Sequence, residues 1–448
     1  MKIIKINQII VTITLLPVLT SLLSAQNPIV PPGVYIADPA AHVWEDGKLY
    51  IYGSLDESTD YYCSWRHHVL VTENMKEWRI YKDRFFSRGE NDQVPYNDAL
   101  LFAPDCMVKD GTYYLYFSQP DPEHPEGVAT SDSPTGPFVN GQPFDTHGYN
   151  QIDPGVFIDD DGQAYYVWGQ FTMKMAKLKP NMKDIDASTL QDSVLTEFDH
   201  FFHEGAFMTK RNGIYYLVYA DLSRANMPTS IGYAMSEEPF GPYTYGGVIV
   251  DNDHCDPGNW NNHGSIAEFE GQWYVFYHRA THNSKMMRKA CVEPITFKAD
   301  GTIPEVLMTS QGAGSPLPAT SKIDAERACT MLGNVRIQLF EPNNEELGEI
   351  QHQDRALFRY IDFGDGVEQI KLRVSPGQTE GIIVVKQDMP WGSTLAEVKV
   401  PKAEGENARI IISGDVRKIT GVHPLWLMFY SDNPNSQWAM AVDWMQFY

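Results

Sequence analysis

One short phrase, made of a turn residue, a glycine and an aromatic strand, recurs five times in this chain of 448 residues. The copies are DGKLYIYGS (46–54), DGTYYLYFS (110–118), DGQAYYVWG (161–169), NGIYYLVYA (212–220) and EGQWYVFYH (270–278). Their glycines stand at positions 47, 111, 162, 213 and 271, so the intervals are 64, 51, 51 and 58 residues. Each copy alone predicts a β-hairpin, whereas five copies at this period are typical of propeller blades. We therefore predict a five-bladed β-propeller over residues 26–310.

A second β domain is predicted after the repeats. Residues 311–321 are rich in Gly, Ser and Pro, which is typical of a linker. Beyond them, segments of alternating apolar and polar residues, such as ALFRYIDFG (356–364) and QIKLRVSP (369–376), predict closely spaced strands. We interpret residues 322–448 as a jelly-roll-like β-sandwich, so the whole chain is expected to be all-β.

The N-terminus is typical of an export signal. Lys2 and Lys5 precede an apolar stretch, and Ser24-Ala25 offers a small-residue cleavage site, so residues 1–25 are predicted to be a signal peptide. No cysteine stands at the cleavage point, and no other apolar run approaches the ~18 residues that a membrane span needs. The mature protein is therefore expected to be secreted or periplasmic, without a membrane span.

Charge and cysteine content exclude several classes of partner. The 35 basic and 58 acidic residues give a net charge of −23, which disfavours nucleic acid and anionic membranes because both bind basic surfaces. The five cysteines include no CxxC pair, so a zinc site is not expected. A neutral polymer or a small neutral ligand is compatible with this composition. The composition indicates no particular oligomeric state.

Acidic residues stand at one fixed distance from the repeat glycine in three of the five copies. Asp38, Asp153 and Glu204 each lie nine positions before it, and the other two copies have Ala103 and His263 eight positions before it. An Asp-Pro pair before a strand is by itself usually a turn signal. The shared offset favours function instead, because equivalent points on propeller blades converge on the axis. The three carboxylates are thus predicted to face one another.

Three converging carboxylates suit the cleavage of a glycosidic bond. One of them activates a water molecule, and another stays protonated and donates a proton to the leaving oxygen. An ionised Asp153 is expected to favour the protonated form of Glu204, because like charges close together disfavour ionisation of both.

The repeats resemble family 43 glycoside hydrolases in the segments ADPAAHVWEDGKLYIYGS, FAPDCMVKDGTYYLYFS, IDPGVFIDDDGQAYYVWG and HEGAFMTKRNGIYYLVYA. The resemblance implies a five-bladed propeller and an inverting mechanism, in which base and acid stand about 6.5–9.5 Å apart. By motif, Asp38 matches the general base, Glu204 the general acid, and Asp153 the residue that tunes and orients the acid. The resemblance also predicts contacts with the sugar, from Phe102, Trp168, His263 and Arg279. His263 is expected near an axial calcium ion, which it would contact through water.

The C-terminal part resembles a family 6 carbohydrate-binding module in KIDAERA (322–328), FRYIDFG (358–364) and VDWMQFY (442–448). This resemblance implies a structural calcium ion, with Asp324, Glu326 and Asp443 as ligands. No organic cofactor is expected. The tryptophans that could stack on a sugar are Trp391, Trp426 and Trp438, of which Trp438 is preferred because it stands in the polar loop SDNPNSQW.

The main functional hypothesis is a secreted, exo-acting glycosidase of plant polysaccharide, with α-L-arabinofuranosidase as the preferred activity. β-Xylosidase is the first alternative, followed by a galactofuranosidase or a galactanase-type enzyme. The opposing hypotheses are a non-catalytic carbohydrate-binding propeller and an extracellular scaffold. Retention of all three acids disfavours a purely binding protein, because binding alone needs no protonated glutamate.

Overall fold

The structure is a computed structural model that describes residues 26–224, 227–405, 409–435 and 439–448. The predicted signal peptide, residues 1–25, and Trp438 lie outside this described part. Within it, helix is confined to α1 (Glu197–His200) and two 3₁₀ helices, Ala187–Thr189 and Ala325–Arg327. None of these helices is long and apolar enough to cross a membrane. The all-β prediction is confirmed.

The first part of the described chain, up to residue 295, contains five antiparallel sheets that follow one another in sequence. Sheet 1 consists of β1 (Ile36–Val43), β2 (Leu49–Leu55), β3 (Arg66–Thr72) and β4 (Trp78–Phe86). Sheet 2 consists of β5 (Pro104–Lys109), β6 (Thr112–Ser118), β7 (Glu126–Ser131) and β8 (Val139–Pro143). Sheet 3 consists of β9 (Gly155–Ile158), β10 (Ala164–Trp168), β11 (Thr172–Lys177) and β12 (Gln191–Thr196). Sheet 4 consists of β13 (Phe202–Arg211), β14 (Ile214–Asp221), β15 (Ser230–Ser236) and β16 (Thr244–Asp251). Sheet 5 consists of β17 (Ser265–Phe269), β18 (Gln272–Thr281) and β19 (Ser284–Ile295).

The first strands of the five sheets contact one another in a closed ring: β1 contacts β5, β5 contacts β9, β9 contacts β13, β13 contacts β17, and β17 contacts β1. The repeat glycines occupy the turn between the first and second strand of each sheet, with φ of 74°, 78°, 81°, 81° and 80°. Glycine adopts this left-handed backbone without a steric penalty. The five copies of the phrase are therefore structurally equivalent.

Aromatic side chains of the second strands pack between neighbouring sheets. Tyr116 of sheet 2 packs with Tyr166 of sheet 3, and Tyr165 of sheet 3 shares a buried cluster with Tyr219 of sheet 4. Burying one large apolar side chain stabilises a fold by about 1.5–3 kcal/mol. The repeated aromatic residues are thus what holds each sheet against the next.

The second β-rich domain begins with β20 (Leu317–Pro318) and contains two six-stranded sheets around one buried core. Sheet 6 also contains β22 (Thr330–Leu332), β25 (Arg355–Asp362), β27 (Gly381–Gln387), β28 (Thr394–Val400) and β30 (Val422–Ser431). Sheet 7 consists of β21 (Ile323–Asp324), β23 (Arg336–Glu341), β24 (Asn344–Ile350), β26 (Gln369–Ser375), β29 (Ile410–Asp415) and β31 (Met440–Phe447). Ile370, Leu372 and Val374 alternate inward along β26, as a half-buried strand requires.

Only part of the segment predicted as a linker, residues 311–321, pairs with the second domain, since Ala313 packs against a buried cluster of the first. Its strand β20 pairs in parallel with β25, which the Gly, Ser and Pro content did not indicate. The two domains also share a buried cluster that includes Cys255, Met308 and Trp426. The second domain is therefore packed directly against the first.

All five cysteines are buried and unpaired. They are Cys63, Cys106, Cys255, Cys291 and Cys329.

Two buried carboxyl groups make stability depend on pH. Burial raises the pKa of Asp256 to about 7 and that of Glu293 to about 7, although backbone N–H groups hydrogen-bond to the first and Arg279 lies beside the second. In the unfolded chain both groups lose their protons near pH ~4. The folded protein thus binds more protons between the two values, and the free energy of unfolding must fall as the pH rises through this window.

We expect the melting temperature to be higher at pH 5.5 than at pH 8, by several degrees, as measured by calorimetry. The variant Asp256→Asn should show a smaller difference between the two pH values. An equal or higher melting temperature at pH 8 in the unmodified protein would contradict this expectation.

Candidate active site

A cavity of about 260 Å³ opens where the first strands of the five sheets begin. Asp38, Asp153 and Glu204 all line it, together with His263 and Ala103, so all five equivalent positions of the repeat meet there. The offset in the sequence therefore predicted a real convergence. The other lining residues are Tyr62, Cys63, Phe102, Ile152, Gln170, His203, Trp260, Asn261, Lys285 and Arg288.

Asp38 is buried on β1 and has hydrogen-bond partners on both carboxylate oxygens. Arg288 Nη1 donates to Oδ1 at 2.8 Å, and Ser54 Oγ donates to Oδ2 at 2.7 Å. Burial alone would raise the pKa of Asp38, but the Arg288 guanidinium and the nearby His278 and His263 hold it well below its usual range. Asp38 is thus ionised throughout the neutral range, which a general base requires.

Arg288 is the cation that pairs with Asp38, and the sequence did not indicate it. It is buried on β19, and its Nε and Nη2 each donate to the carboxylate of Asp56 at 2.9 Å while Nη1 donates to Asp38. A buried guanidinium is stable only when its charge is paired in this way. Arg288 lies outside the repeated phrase, so no offset pointed to it.

Asp153 lies before β9 and is as buried as Asp38, but no cation pairs with it among the described residues. Its backbone N–H donates to Ser118 Oγ at 3.2 Å, and Oδ2 is 3.9 Å from His263 Nδ1. Burial, with the Glu204 and Asp38 carboxylates nearby, raises the pKa of Asp153 well above its usual range. The raised pKa of Asp153 favours its protonated form, whereas the sequence predicted Asp153 to be the ionised partner.

Glu204 stands on β13, where irregular pairing with β14 turns its side chain toward the cavity. Two amide groups bind its carboxyl: Gln170 Nε2 donates to Oε2 at 2.8 Å, and Asn261 Nδ2 donates to Oε1 at 3.3 Å. His203 Nε2 is 4.0 Å from Oε2. The amides fix the orientation of the Glu204 carboxyl group without adding a charge to the site.

His263 stands between two of the acids, with Nδ1 at 3.6 Å from Asp38 Oδ1 and 3.9 Å from Asp153 Oδ2. Burial lowers the pKa of His263, although Asp38 and Glu204 act in the opposite direction. Its ring packs against Gly205, where an added Cβ would lie 2.7–2.8 Å from three ring atoms. Only glycine leaves room for the ring, and Gly205 also has φ of 70°.

Gly205→Ala is expected to displace the His263 ring and to lower kcat/KM by about tenfold or more, because misplaced catalytic groups are costly. The matched control is Gly213→Ala, since Gly213 has φ of 81° but nothing within 4 Å of an added Cβ. Both variants should lose about 1 kcal/mol of stability from backbone strain, measured by urea unfolding. Equal kinetics in the two variants would show that the His263 contact is unimportant.

The aromatic lining of the cavity differs in part from the prediction. Phe102 lines it, as predicted, and Tyr62 and Trp260 line it as well. Trp260 is 44% exposed, so it can offer a ring face to a sugar that extends out of the cavity. The sequence analysis missed both residues because they lie in loops between the repeated phrases.

Trp168 and Arg279 are not in the cavity, and their prediction as sugar contacts is corrected. Trp168 is fully buried beside Tyr166, and its Nε1 donates to the carbonyl of Tyr149 at 2.8 Å. Arg279 is buried and donates to Glu293 Oε1 at 3.2 Å and to the carbonyl of Thr309 at 2.8 Å. Both side chains lie in the packing between elements and outside the lining of the cavity.

The predicted calcium ligands fit such an ion only in part. Glu326 Oε2 and Asp443 Oδ1 are buried and lack a hydrogen-bond partner, and carboxylate oxygens are what calcium prefers. Asp324 instead pairs with Lys322 at 2.7 Å. No group of three or more His, Cys, Asp or Glu side chains in the described ranges is arranged to hold a metal ion. The structural calcium ion and the axial one near His263 stay predictions.

The candidate stacking tryptophans of the second domain have different surroundings. Trp391 is 81% exposed, so its ring is accessible to a ligand. Trp426 is buried in the cluster shared by the two domains, so core packing explains it. Trp438, the preferred candidate, lies outside the described residues.

Comparison with known proteins agrees with this site. The model of glycosyl hydrolases family 43 matches residues 25–303, and that of carbohydrate binding module family 6 matches residues 324–448. A xylosidase/arabinosidase of Thermoclostridium stercorarium is 29% identical, over 90% of this chain and 95% of that protein. Xylosidase/arabinosidase 43A of Humicola insolens is 32% identical, over 60% of this chain and 96% of its own.

Solved structures show the same likeness. A β-xylosidase/α-arabinofuranosidase from a compost microbial metagenome, in complex with xylotriose, is 32% identical over 63% of this chain and 98% of its own, with a TM-score of 0.55. An arabinoxylan arabinofuranohydrolase of Bacillus subtilis, 24% identical, shares the fold over 95% of this chain and 99% of its own, with a TM-score of 0.53. The chain therefore belongs to family 43 of the glycosyl hydrolases, enzymes that cleave glycosidic bonds, and carries a family 6 carbohydrate-binding module after the catalytic part.

Proposed function

We propose that this protein is an inverting, exo-acting glycosidase that releases α-L-arabinofuranosyl units from plant polysaccharide. The observation that carries the proposal is the convergence of Asp38, Asp153 and Glu204 in one cavity, with opposite electrostatic surroundings for the first two. The Arg288 guanidinium holds the pKa of Asp38 well below its usual range, and burial raises the pKa of Asp153 above its own. An inverting glycosidase needs this division between a base and a source of protons.

In the proposed mechanism, Asp38 accepts a proton from the water molecule that attacks the anomeric carbon. Glu204 donates a proton to the leaving oxygen on the opposite side of the sugar. The Glu204 carboxylate raises the pKa of Asp153, so the site does not favour two ionised carboxylates on these residues. Gln170 and Asn261 keep the Glu204 carboxyl directed toward the leaving group.

The second candidate is a β-xylosidase. Relatives whose names join both activities favour it, as does the xylotriose bound to one solved relative. The same three acids serve either sugar. The two candidates differ only in the walls of the cavity, where Phe102, Tyr62 and Trp260 stand.

The five sheets are proposed to be the blades of a propeller whose axis passes through the cavity. The closed ring of first strands and the equivalent repeat glycines support this architecture. The two sheets of the second domain, which share one core, are proposed to form a jelly-roll-like sandwich. The proposed boundaries are 26–310 for the propeller and 322–448 for the sandwich, with β20 of the segment between them added to the sandwich.

Residues 1–25 and the family 6 module also have proposed roles, in export and in polysaccharide binding. Residues 1–25 are proposed to direct the protein out of the cytoplasm, and their sequence supports this. The family 6 module is proposed to hold plant polysaccharide near the cavity, with the exposed Trp391 as one contact.

The proposal is tested with 4-nitrophenyl α-L-arabinofuranoside, β-D-xylopyranoside and β-D-galactofuranoside. We expect the highest kcat/KM for the arabinofuranoside and the release of free arabinose from arabinoxylan. A kcat/KM that is higher for the xylopyranoside would select the β-xylosidase instead. Failure to cleave any of the three would contradict a glycosidase function and favour a binding protein.

A further inference from the structure

One carboxylate of the second domain binds two separate segments of the first. Glu345, on β24, is fully buried, and its Oε1 accepts a hydrogen bond from the backbone N–H of Gly33 at 3.2 Å. Its Oε2 accepts a hydrogen bond from Nζ of Lys289 on β19. The same Nζ donates to the carbonyl oxygen of Pro31 at 3.1 Å. Glu345 and Lys289 therefore join residues 31–33 to β19.

These two segments carry the proposed base and its cation. Residues 31–33 lead directly into β1, on which Asp38 stands, and Lys289 directly follows Arg288. Successive side chains of a strand point to opposite faces. Arg288 accordingly faces the cavity and donates to Asp38, while Lys289 faces the second domain and pairs with Glu345.

A second connection lies on the cavity side, where Asp56 joins Tyr35, just before β1, to Arg288 on β19. The backbone N–H of Asp56 donates to the carbonyl of Tyr35 at 2.9 Å, and the Asp56 carboxylate accepts three hydrogen bonds from Arg288 at 2.9 Å each. Hydrogen bonds of Glu345 and of Asp56 thus both constrain the segments that carry Asp38 and Arg288. Asp56 belongs to the first domain, whereas Glu345 belongs to the second.

We propose that Glu345 is a positioning residue for catalysis, through which the second domain completes the active site as well as binding polysaccharide. This inference rests on the proposed function of Asp38 as the base. A buried ion pair constrains both partners, because either charge left alone in the interior is strongly unfavourable. Loss of the pair allows β19 and residues 31–33 to shift, and the Arg288–Asp38 contact lengthens with them. A misplacement of about 1 Å can lower a rate by about 10²-fold.

The test is Glu345→Gln in the full chain, with 4-nitrophenyl α-L-arabinofuranoside as substrate. We expect kcat to fall about tenfold while KM stays within about twofold, because the sugar site itself is intact. The pH profile of kcat/KM should also change. A weaker Arg288 contact raises the pKa of Asp38, so the acid limb should move to higher pH by about one unit.

The matched control is Arg359→Met. Arg359 Nη1 donates to the carbonyl of Met308 at 2.8 Å between the same two domains, but neither residue belongs to residues 31–33 or to β19. This variant should keep the kinetics and the pH profile of the unmodified protein. An equal change in both variants would show a general effect of the domain contact and would overturn the proposal.

Unchanged kinetics in folded Glu345→Gln would also overturn it. If that variant does not fold, Glu345→Leu combined with Lys289→Leu replaces it, because an apolar pair of similar volume often substitutes for a buried ion pair without loss of stability. The same fall in kcat and shift of the acid limb are expected there, and unmodified kinetics would overturn the proposal. If the unmodified protein cleaves no glycoside, the proposed function fails and this inference with it. An active protein with unaffected variants rejects the inference alone.

Discussion

Asp38→Asn should lower kcat on 4-nitrophenyl α-L-arabinofuranoside by about 10²–10⁴-fold, because general base catalysis contributes a factor of this size. Each tenfold loss corresponds to about 1.4 kcal/mol of transition-state stabilisation. The nitrophenyl leaving group departs without protonation, so the loss reports on activation of water alone. KM should change little, since asparagine keeps the shape of the side chain.

The fold should survive this substitution. Asparagine tolerates the left-handed backbone of Asp38, where φ is 52°. Arg288 also keeps the two hydrogen bonds from its guanidinium to Asp56, so its charge stays paired. Asp105→Asn is the control: Asp105 is equally buried on β5, where it binds His42 at 2.6 Å and the N–H of Val156 at 2.7 Å, outside the cavity lining. A similar loss of kcat in both variants would contradict the assignment of Asp38.

Glu204→Gln should have an effect that depends on the leaving group. On xylan-derived or arabinan-derived oligosaccharides, whose leaving oxygen must be protonated, we expect kcat/KM to fall about 10²–10⁴-fold. On the nitrophenyl substrate the fall should be much smaller, because that leaving group needs no acid. Rates on both kinds of substrate, measured side by side for the same preparation, give the comparison.

The interaction between Glu204 and Asp153 should also affect the pH profile of kcat/KM. The pKa of Asp153 is raised by burial and by the Glu204 carboxylate, so the two groups disfavour a doubly ionised site. Glu204→Gln removes this carboxylate, and the alkaline limb of the pH profile should therefore change or disappear. An equal loss on both kinds of substrate, with the alkaline limb unchanged, would show that Glu204 does not act as the acid.

The repeats made the convergence of the acids predictable. Asp38, Asp153 and Glu204 share one offset from the repeat glycines, and the closed ring of first strands brings them into one cavity. Residues at the same offset in an internal repeat occupy equivalent positions in the structure, so a shared offset predicts that they lie close together.

Residues outside the repeated phrase could not be found by the same reasoning. Arg288 is the main example, since it stands on β19, the last strand of sheet 5, and reaches Asp38 across 250 positions of the chain. Trp260 and Asn261 line the cavity from a loop between β16 and β17. Nothing in the spacing of these residues indicates that they share a site.

The wrong predictions have a common physical cause. Trp168 and Arg279 stand near the ends of aromatic strands, close in sequence to residues of the cavity. Their side chains nevertheless point into the packing between elements, as the hydrogen bonds of Trp168 to Tyr149 and of Arg279 to Glu293 show. Proximity along a strand does not determine the face on which a side chain lies, because successive residues alternate between faces.

The sequence also did not indicate which carboxyl group has a raised pKa and which a lowered one. The sequence predicted that an ionised Asp153 would keep Glu204 protonated. Which acid is held ionised depends on the position of Arg288, which lies beside Asp38 and not beside Asp153. The boundary between the domains could not be predicted either. It depends on the pairing of β20 with β25, and a segment rich in Gly, Ser and Pro does not indicate a strand.

The configuration of the first sugar released tests the central account most directly. Proton NMR can follow hydrolysis of 4-nitrophenyl α-L-arabinofuranoside from its first minutes, before the anomers equilibrate. A base and an acid that act from opposite sides of the sugar predict inversion, so β-L-arabinofuranose should appear first and the α anomer only later. First appearance of the α anomer would mean a covalent intermediate on one of the carboxylates, and it would contradict the roles of Asp38 and Glu204.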